Sequence, residues 1–145
     1  MTVGLMKKYL IIKTDGGARG NPGPAAVGVF IADEKGKEIV RFGKGIGRAT
    51  NNVAEYQAVI TALEWVRNNL RDEIQEAKFF LDSNLVVSQL NGWFKIKEPH
   101  LRELIVKIRE LEQLVGGNIS YHYISRNDNK IADNLVNSSL DGSAH

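Results

Sequence analysis

The chain has 145 residues, 43% of them apolar and 25% charged, with a formal net charge of +2 and no cysteine. That length and balance suit one soluble globular domain with a single core, and no run approaches the roughly 18 apolar residues of a membrane span. Without cysteine, any metal has to be held by oxygen or imidazole, which favours hard cations such as Mg²⁺ or Mn²⁺, and so small a net charge does not by itself argue for nucleic acid.

Residues 1–7 read as an N-terminal extension. They lack the order of a secretion signal, because the lysines precede a short apolar run that breaks at Lys13 and Asp15, so cytoplasmic residence is the default expectation. From Lys8, "KYLIIKTD" sets Leu10, Ile12 and Thr14 against Tyr9, Ile11, Lys13 and Asp15, the pattern of a central strand covered on both faces. The strand is expected to end at Asp15, where the glycine-rich connection "GGARGNPG" begins. "AAVGVFIAD", the turn residues "EKGK" and "EIVRFGKGIG" continue as an antiparallel meander, loosened at its end by Gly43, Gly45 and Gly47. "TNNVAEYQAVITALEWVRNNL" places Val59, Ile60, Leu63 and Val66 at helical spacing behind an asparagine cap.

"AKFFLDS" reads as a short buried strand and "NLVVSQLNGW" as a short helix. "EPHLRELIVKIRELEQLVGG" reads as a long helix, with Pro99 near its start, glycines after its end and an apolar stripe of Leu101, Leu104, Ile105, Ile108 and Leu111. The strand "NISYHYIS" leads through "RNDNK" into the helix "IADNLVNSSL", and residues 141–145 read as a flexible tail. Strands joined by helices tend to lie parallel, so this order predicts an α/β fold over residues 8–140. Its mixed sheet combines the meander with parallel strands and is flanked by helices. In such sheets ligands gather at the carboxyl ends of strands, where Asp15 and Asp82 are expected.

Two acids at adjacent strand ends repel unless a cation lies between them. Glu55 has a second explanation, since "NVAE" from Asn52 matches an asparagine variant of the capping box, in which the acid reaches back to the cap's amide. Asp133, near the start of the last helix, is favoured there by the helix dipole in any case. The glycine loop has neither a G-K-[ST] ending nor the G-x-G-x-x-G pattern, which excludes both nucleotide-loop readings. Its missing side chains would let a ligand approach the backbone closely.

Together "TDGGARGNPGPAAVG", "TNNVAEYQAVITALE", "LDSNLVVSQLNGWFKIKEPHLREL" and "SRNDNKIADNLVN" resemble ribonuclease H of type 1, in family order from about Lys8 to Ser139. The resemblance implies a ribonuclease H-like fold with five strands. It also implies that Asp15, Glu55, Asp82 and Asp133 are an acidic quartet holding two Mg²⁺ ions, with Mn²⁺ as a substitute, and that Asp15 bridges them. Two such ions suit hydrolysis of the RNA strand of an RNA/DNA hybrid, one activating water and the other stabilising the departing 3′-oxygen. The ends left are 5′-phosphate and 3′-hydroxyl.

By similarity, Gly16, Asn21 and Asn51 would lie beside the RNA strand, whose 2′-hydroxyl marks it as RNA. Arg48 and Thr50 would form a phosphate pocket for the DNA strand, and Trp93 would pack on a sugar face, with Lys95 and Lys97 adding phosphate attraction. Asparagine also suits turns and caps, and tryptophan suits cores. The sequence departs from the common pattern in several places. Arg126 replaces a loop histidine before the last acid, and it acts by charge and hydrogen bonding because it cannot exchange protons near neutral pH. His122 reads as a half-buried strand residue. Asn84 replaces a glutamine that contacts RNA, His100 replaces an asparagine near the phosphate pocket, and the long basic insertion of some members is absent. A monomer with no organic cofactor is expected. The rival readings are a noncatalytic hybrid- or RNA-binding module, a DNA recombination nuclease of the same fold, and a plain interaction domain.

Overall fold

In a computed structural model, which describes residues 7–142, three strands form an antiparallel meander: β1 (Lys8–Ala18), β2 (Gly23–Asp33) and β3 (Glu38–Ala49). Two more, β4 (Ile74–Leu81) and β5 (Asn118–Tyr123), extend the sheet from the other side of β1 in parallel. The strand order is β3-β2-β1-β4-β5, so β1 is central as expected; its Leu10, Ile12 and Thr14 face is buried, while Tyr9 is exposed and Ile11 and Lys13 are only half-buried, so one face is less covered than the alternation suggested. Four helices complete the fold: α1 (Asn51–Leu70), α2 (Asn84–Leu90), α3 (Pro99–Val115) and α4 (Lys130–Gly142), the last entered through a 3₁₀ turn at Arg126–Asn129.

Successive residues of a strand point to opposite faces. The face of Gly16 carries α1 and that of Gly17 carries α4, since a Cβ on Gly16 would meet Ala54 and one on Gly17 would meet Val136. Leu10, Ile12, Val29, Ile31 and Phe79 pack with Tyr56, Val59, Leu63 and Val66 of α1, and α3 closes this core from outside through Leu101, Leu104, Ile108, Leu111 and Val115. Burying each such side chain contributes about 1.5–3 kcal/mol, more than any capping term, so packing rather than propensity holds α3 in place.

Several boundaries differ from the sequence expectation. β4 begins at Ile74, three residues early, because the polar Gln75 and Glu76 hide a strand whose Ile74 is buried. α2 stops at Leu90, where Gly92 takes φ 76° and the Trp93 N–H donates to the Ser88 carbonyl at 2.9 Å. β5 stops at Tyr123, and α4 starts one residue early, at Lys130. Thr50, not an asparagine, caps α1: its Oγ1 accepts from the Val53 N–H at 3.2 Å. The extension over 1–7 and the tail over 141–145 lie largely outside the described residues; Asp141 and Gly142 form the last turn of α4. Among the described residues, no helix is long and apolar enough to cross a membrane.

Candidate active site

The parallel register of β1 with β4 ends at Lys13↔Phe80, while β1 goes on pairing with β2 as far as Ala18↔Ala25. Asp15 therefore lies inside β1, opposite Gly28, and not at a strand end as the sequence suggested. "GGA" pairs as strand because β2 offers it a partner. Beyond Leu81, where β4 stops, the side of β1 that faced it opens, and Asp82 follows at that point.

Two glycines bring helices to this opening. A Cβ on Gly16 would lie 2.0 Å from the Ala54 carbonyl oxygen of α1, and one on Gly28 would lie 2.3 Å from the Ala132 carbonyl oxygen of α4. Each alanine immediately precedes a helix-borne acid, Glu55 or Asp133. The bare backbones thus seat both helices close enough to deliver their carboxylates to β1. At Gly16 the missing side chain makes room for helix backbone. The capping box is corrected, because Glu55 Oε1 accepts from the Gly16 N–H at 2.9 Å and does not reach back to Asn52.

One carboxylate oxygen from each of Asp15, Glu55 and Asp82 lies within 4.8 Å of the others. Asp133, in the first turn of α4, lines the same cavity, and its negative charge acts on Asp15. All four line one polar cavity of about 510 Å³, together with Gly16, Asn51, Arg19 and Arg126. Burial, followed by the charges of Asp82 and then Asp133, pushes the Asp15 carboxyl up to about 8. Burial and the charges of Asp15 and Asp82 likewise raise Glu55 well above the carboxylate range, against the opposing Gly16 N–H. A pocket that resists ionisation of its own acids is short of positive charge, and its donors are all hard oxygens. Such a set fits divalent cations, which would hold the acids ionised.

The model of the reverse transcriptase-like family matches residues 13–139. LC11-RNase H1, solved in complex with an RNA/DNA hybrid, is 43% identical and superposes with a TM-score of 0.89 over 94% of this chain and 99% of that one. A ribonuclease HI of Halobacterium salinarum is 44% identical over 88% of this chain and 62% of its own length. A bifunctional protein of Mycobacterium tuberculosis is 38% identical over 93% of this chain. The chain belongs to the ribonuclease H type 1 family. It spans only 36% of the length of the mycobacterial relatives it matches.

The other residues that the family pattern singled out divide by position. Arg126, at the start of the 3₁₀ turn, lines the acid cavity. Asn51 lines it too, its Oδ1 accepting from the Ala18 N–H at 2.9 Å, while Asn21 Oδ1 accepts from the Asn51 N–H at 2.9 Å. The two asparagines therefore tie the β1–β2 turn to the start of α1. Arg48 lies in an adjoining groove with Pro24, Ala25 and Leu140, and Thr50 is taken up as the α1 cap. Asn84 is exposed at the start of α2, and Trp93 stands 70% exposed beyond its end, with Phe94 beside it and Lys95 and Lys97 exposed nearby. His122 is half-buried in β5, bonded to Ser120 at 2.8 Å and stacked on Phe80. His100 is exposed and pairs with Glu103 at 3.7 Å.

Two residues of the site escaped the sequence reading. Arg19 reaches the cavity rim from the β1–β2 turn and pairs with Asp141 at 2.6 Å. Asn129 is wholly buried, and its Nδ2 donates to the Thr14 carbonyl at 2.9 Å and to Asp82 Oδ2 at 3.0 Å. No local signal marked it, since Asn129 closes the 3₁₀ turn and both its partners lie far away in sequence.

Proposed function

We propose that the protein is an endoribonuclease that hydrolyses the RNA strand of RNA/DNA hybrids with two divalent metal ions, leaving 5′-phosphate and 3′-hydroxyl ends. The observation that carries this reading is the convergence of Asp15, Glu55 and Asp82 within 4.8 Å, with Asp133 beside them. A noncatalytic binder gains nothing from setting four acids against a phosphate backbone. Mg²⁺ or Mn²⁺ ions held by these four side chains would supply a nucleophile at neutral pH and a countercharge for the phosphate.

The chain's own groups do the rest. The Gly16 N–H holds Glu55 in place. Water attacks the phosphorus and loses a proton to solvent, the bond to the 3′-oxygen breaks and that oxygen takes up a proton from solvent, and Arg126 stabilises the added negative charge without giving up a proton. Asn21 and Asn51 engage their carbonyl oxygens internally, which leaves their carboxamide N–H groups as donors toward the RNA strand. Arg48 and Thr50 take a phosphate of the DNA strand, while Asn84 and the Trp93 face extend the contact along the hybrid. Such a site works on a monomer.

The test is cleavage of labelled RNA/DNA, RNA/RNA and DNA/DNA duplexes, with and without Mg²⁺ or Mn²⁺, by the parent and by Asp15→Asn. Metal-dependent cleavage of the hybrid alone, lost in the variant while the circular dichroism spectrum is unchanged, is expected. Cleavage of DNA duplexes in preference to hybrid, or equal activity of the variant, refutes the assignment.

A further inference from the structure

The acid cluster needs the middle of β1 and the end of β4 to stand at a fixed separation just where the pairing between the two strands has stopped holding them together. The β1–β4 register ends at Lys13↔Phe80, so Thr14 and Asp82 both lie past the last paired residues. Asn129 spans this gap with a single nitrogen, one N–H going to the Thr14 carbonyl and the other to Asp82 Oδ2. It acts as one more rung beyond the end of the ladder. Thr14 immediately precedes Asp15, so the rung sets the distance between two members of the cluster. It also occupies one oxygen of Asp82, leaving the other without that bond in the cavity that Asp82 lines.

The burial of Asn129 argues that this is more than packing. The side chain is 0% exposed, yet its Oδ1 has no hydrogen-bond partner. A buried acceptor left alone is unfavourable, and an apolar side chain of the same shape would avoid it. What an apolar side chain would lose is the pair of N–H donors aimed at β1 and Asp82. The Lys13 Nζ, which donates to the Asp128 carbonyl at 3.2 Å, ties the same 3₁₀ turn to β1 and keeps the rung in register.

We propose that Asn129 is a positioning residue of the cation site: it fixes the spacing of Asp15 and Asp82 and orients Asp82 so that one oxygen faces the metal. This rests on the reading of the four acids as cation ligands. Partners that orient metal ligands typically change affinity by about 10- to 100-fold when removed.

The experiment is titration of the full chain with Mn²⁺ in the absence of nucleic acid, with unbound Mn²⁺ followed by electron paramagnetic resonance, for the parent, Asn129→Ala and Asn129→Leu. Both variants are expected to bind Mn²⁺ at least about tenfold more weakly. In assays on hybrid they should show an unchanged KM and a reduced kcat that recovers as Mg²⁺ is raised. A packing role predicts instead that the space-filling leucine keeps the parental affinity, and that result overturns the proposal. A second measurement needs no variant: in ¹⁵N-labelled parent, the Asn129 carboxamide resonances should shift with Mg²⁺ in step with binding, and a carboxamide unmoved at saturation also overturns it. If the parent itself binds no Mn²⁺, the reading of the acids fails. If the parent binds and both variants bind equally well, only the role of Asn129 fails.

Discussion

Replacing Gly16 by alanine adds one methyl group, and the structure says where it goes. Its Cβ would sit 2.0 Å from the Ala54 oxygen and 2.6 Å from the Glu55 nitrogen, both backbone atoms of α1 that cannot rotate aside. Cβ contacts below 3.0 Å are essentially never seen, so relief needs α1 to retreat from β1 by about 1 Å. Forced repacking of this kind costs about 1–3 kcal/mol, which for a chain of this length lowers Tm by roughly 3–9 °C. The same retreat withdraws Glu55 and lengthens its 2.9 Å bond from the Gly16 N–H, and a misplacement of about 1 Å at a reacting centre is enough to lower the rate by roughly 100-fold. Gly17→Ala is the control, because its Cβ meets only Val136 Cγ1 at an ordinary 3.5 Å. Thermal melting and kcat on hybrid should therefore separate the two neighbours sharply. A Gly16→Ala protein within twofold of the parent in rate, or a Gly17→Ala protein equally impaired, would refute the account of how α1 is seated.

The raised Asp15 carboxyl, held at about 8 first by burial and then by Asp82 and Asp133, makes the cation-free fold bind a proton that the unfolded chain has already released. Its contribution to stability therefore falls as pH rises from about 4 toward 8. Melting in a chelator from pH 5 to 9 should show the parent losing Tm relative to Asp15→Asn, and a difference that grows the other way would contradict the shift. Mg²⁺ binding near pH 7 should correspondingly release protons, seen as a calorimetric heat that depends on the buffer's ionisation enthalpy. Arg126→Ala should slow turnover by about 100- to 1000-fold without abolishing it, and complete loss of activity would mean that the arginine does more than supply charge. Trp93→Ala should leave Tm unchanged, because the ring is 70% exposed, and should raise the hybrid KM about fivefold, the effect of losing about 1 kcal/mol of stacking. An unchanged KM would remove Trp93 from the binding face.

Much of the fold was legible in the chain because its signals are local. The two-faced alternation of β1, the 3.6-residue spacing in α1 and α3, and the punctuation by Pro99, Gly116 and Gly117 each act within a few residues, and each gave the element observed. The membership of the acid cluster was legible only through family resemblance, since Glu55 and Asp133 each had an adequate local explanation in a cap or a dipole. Three facts belonged to tertiary structure alone. β1 continues through its glycines because β2 is there to pair with it; Gly16 and Gly28 are needed because helix backbones press on them; and Asn129 reaches Asp82 because the 3₁₀ turn folds back across the end of β4. In the last two cases the deciding partner lies far away in sequence, and in the first it lies across a hairpin on another strand, where no periodicity reaches.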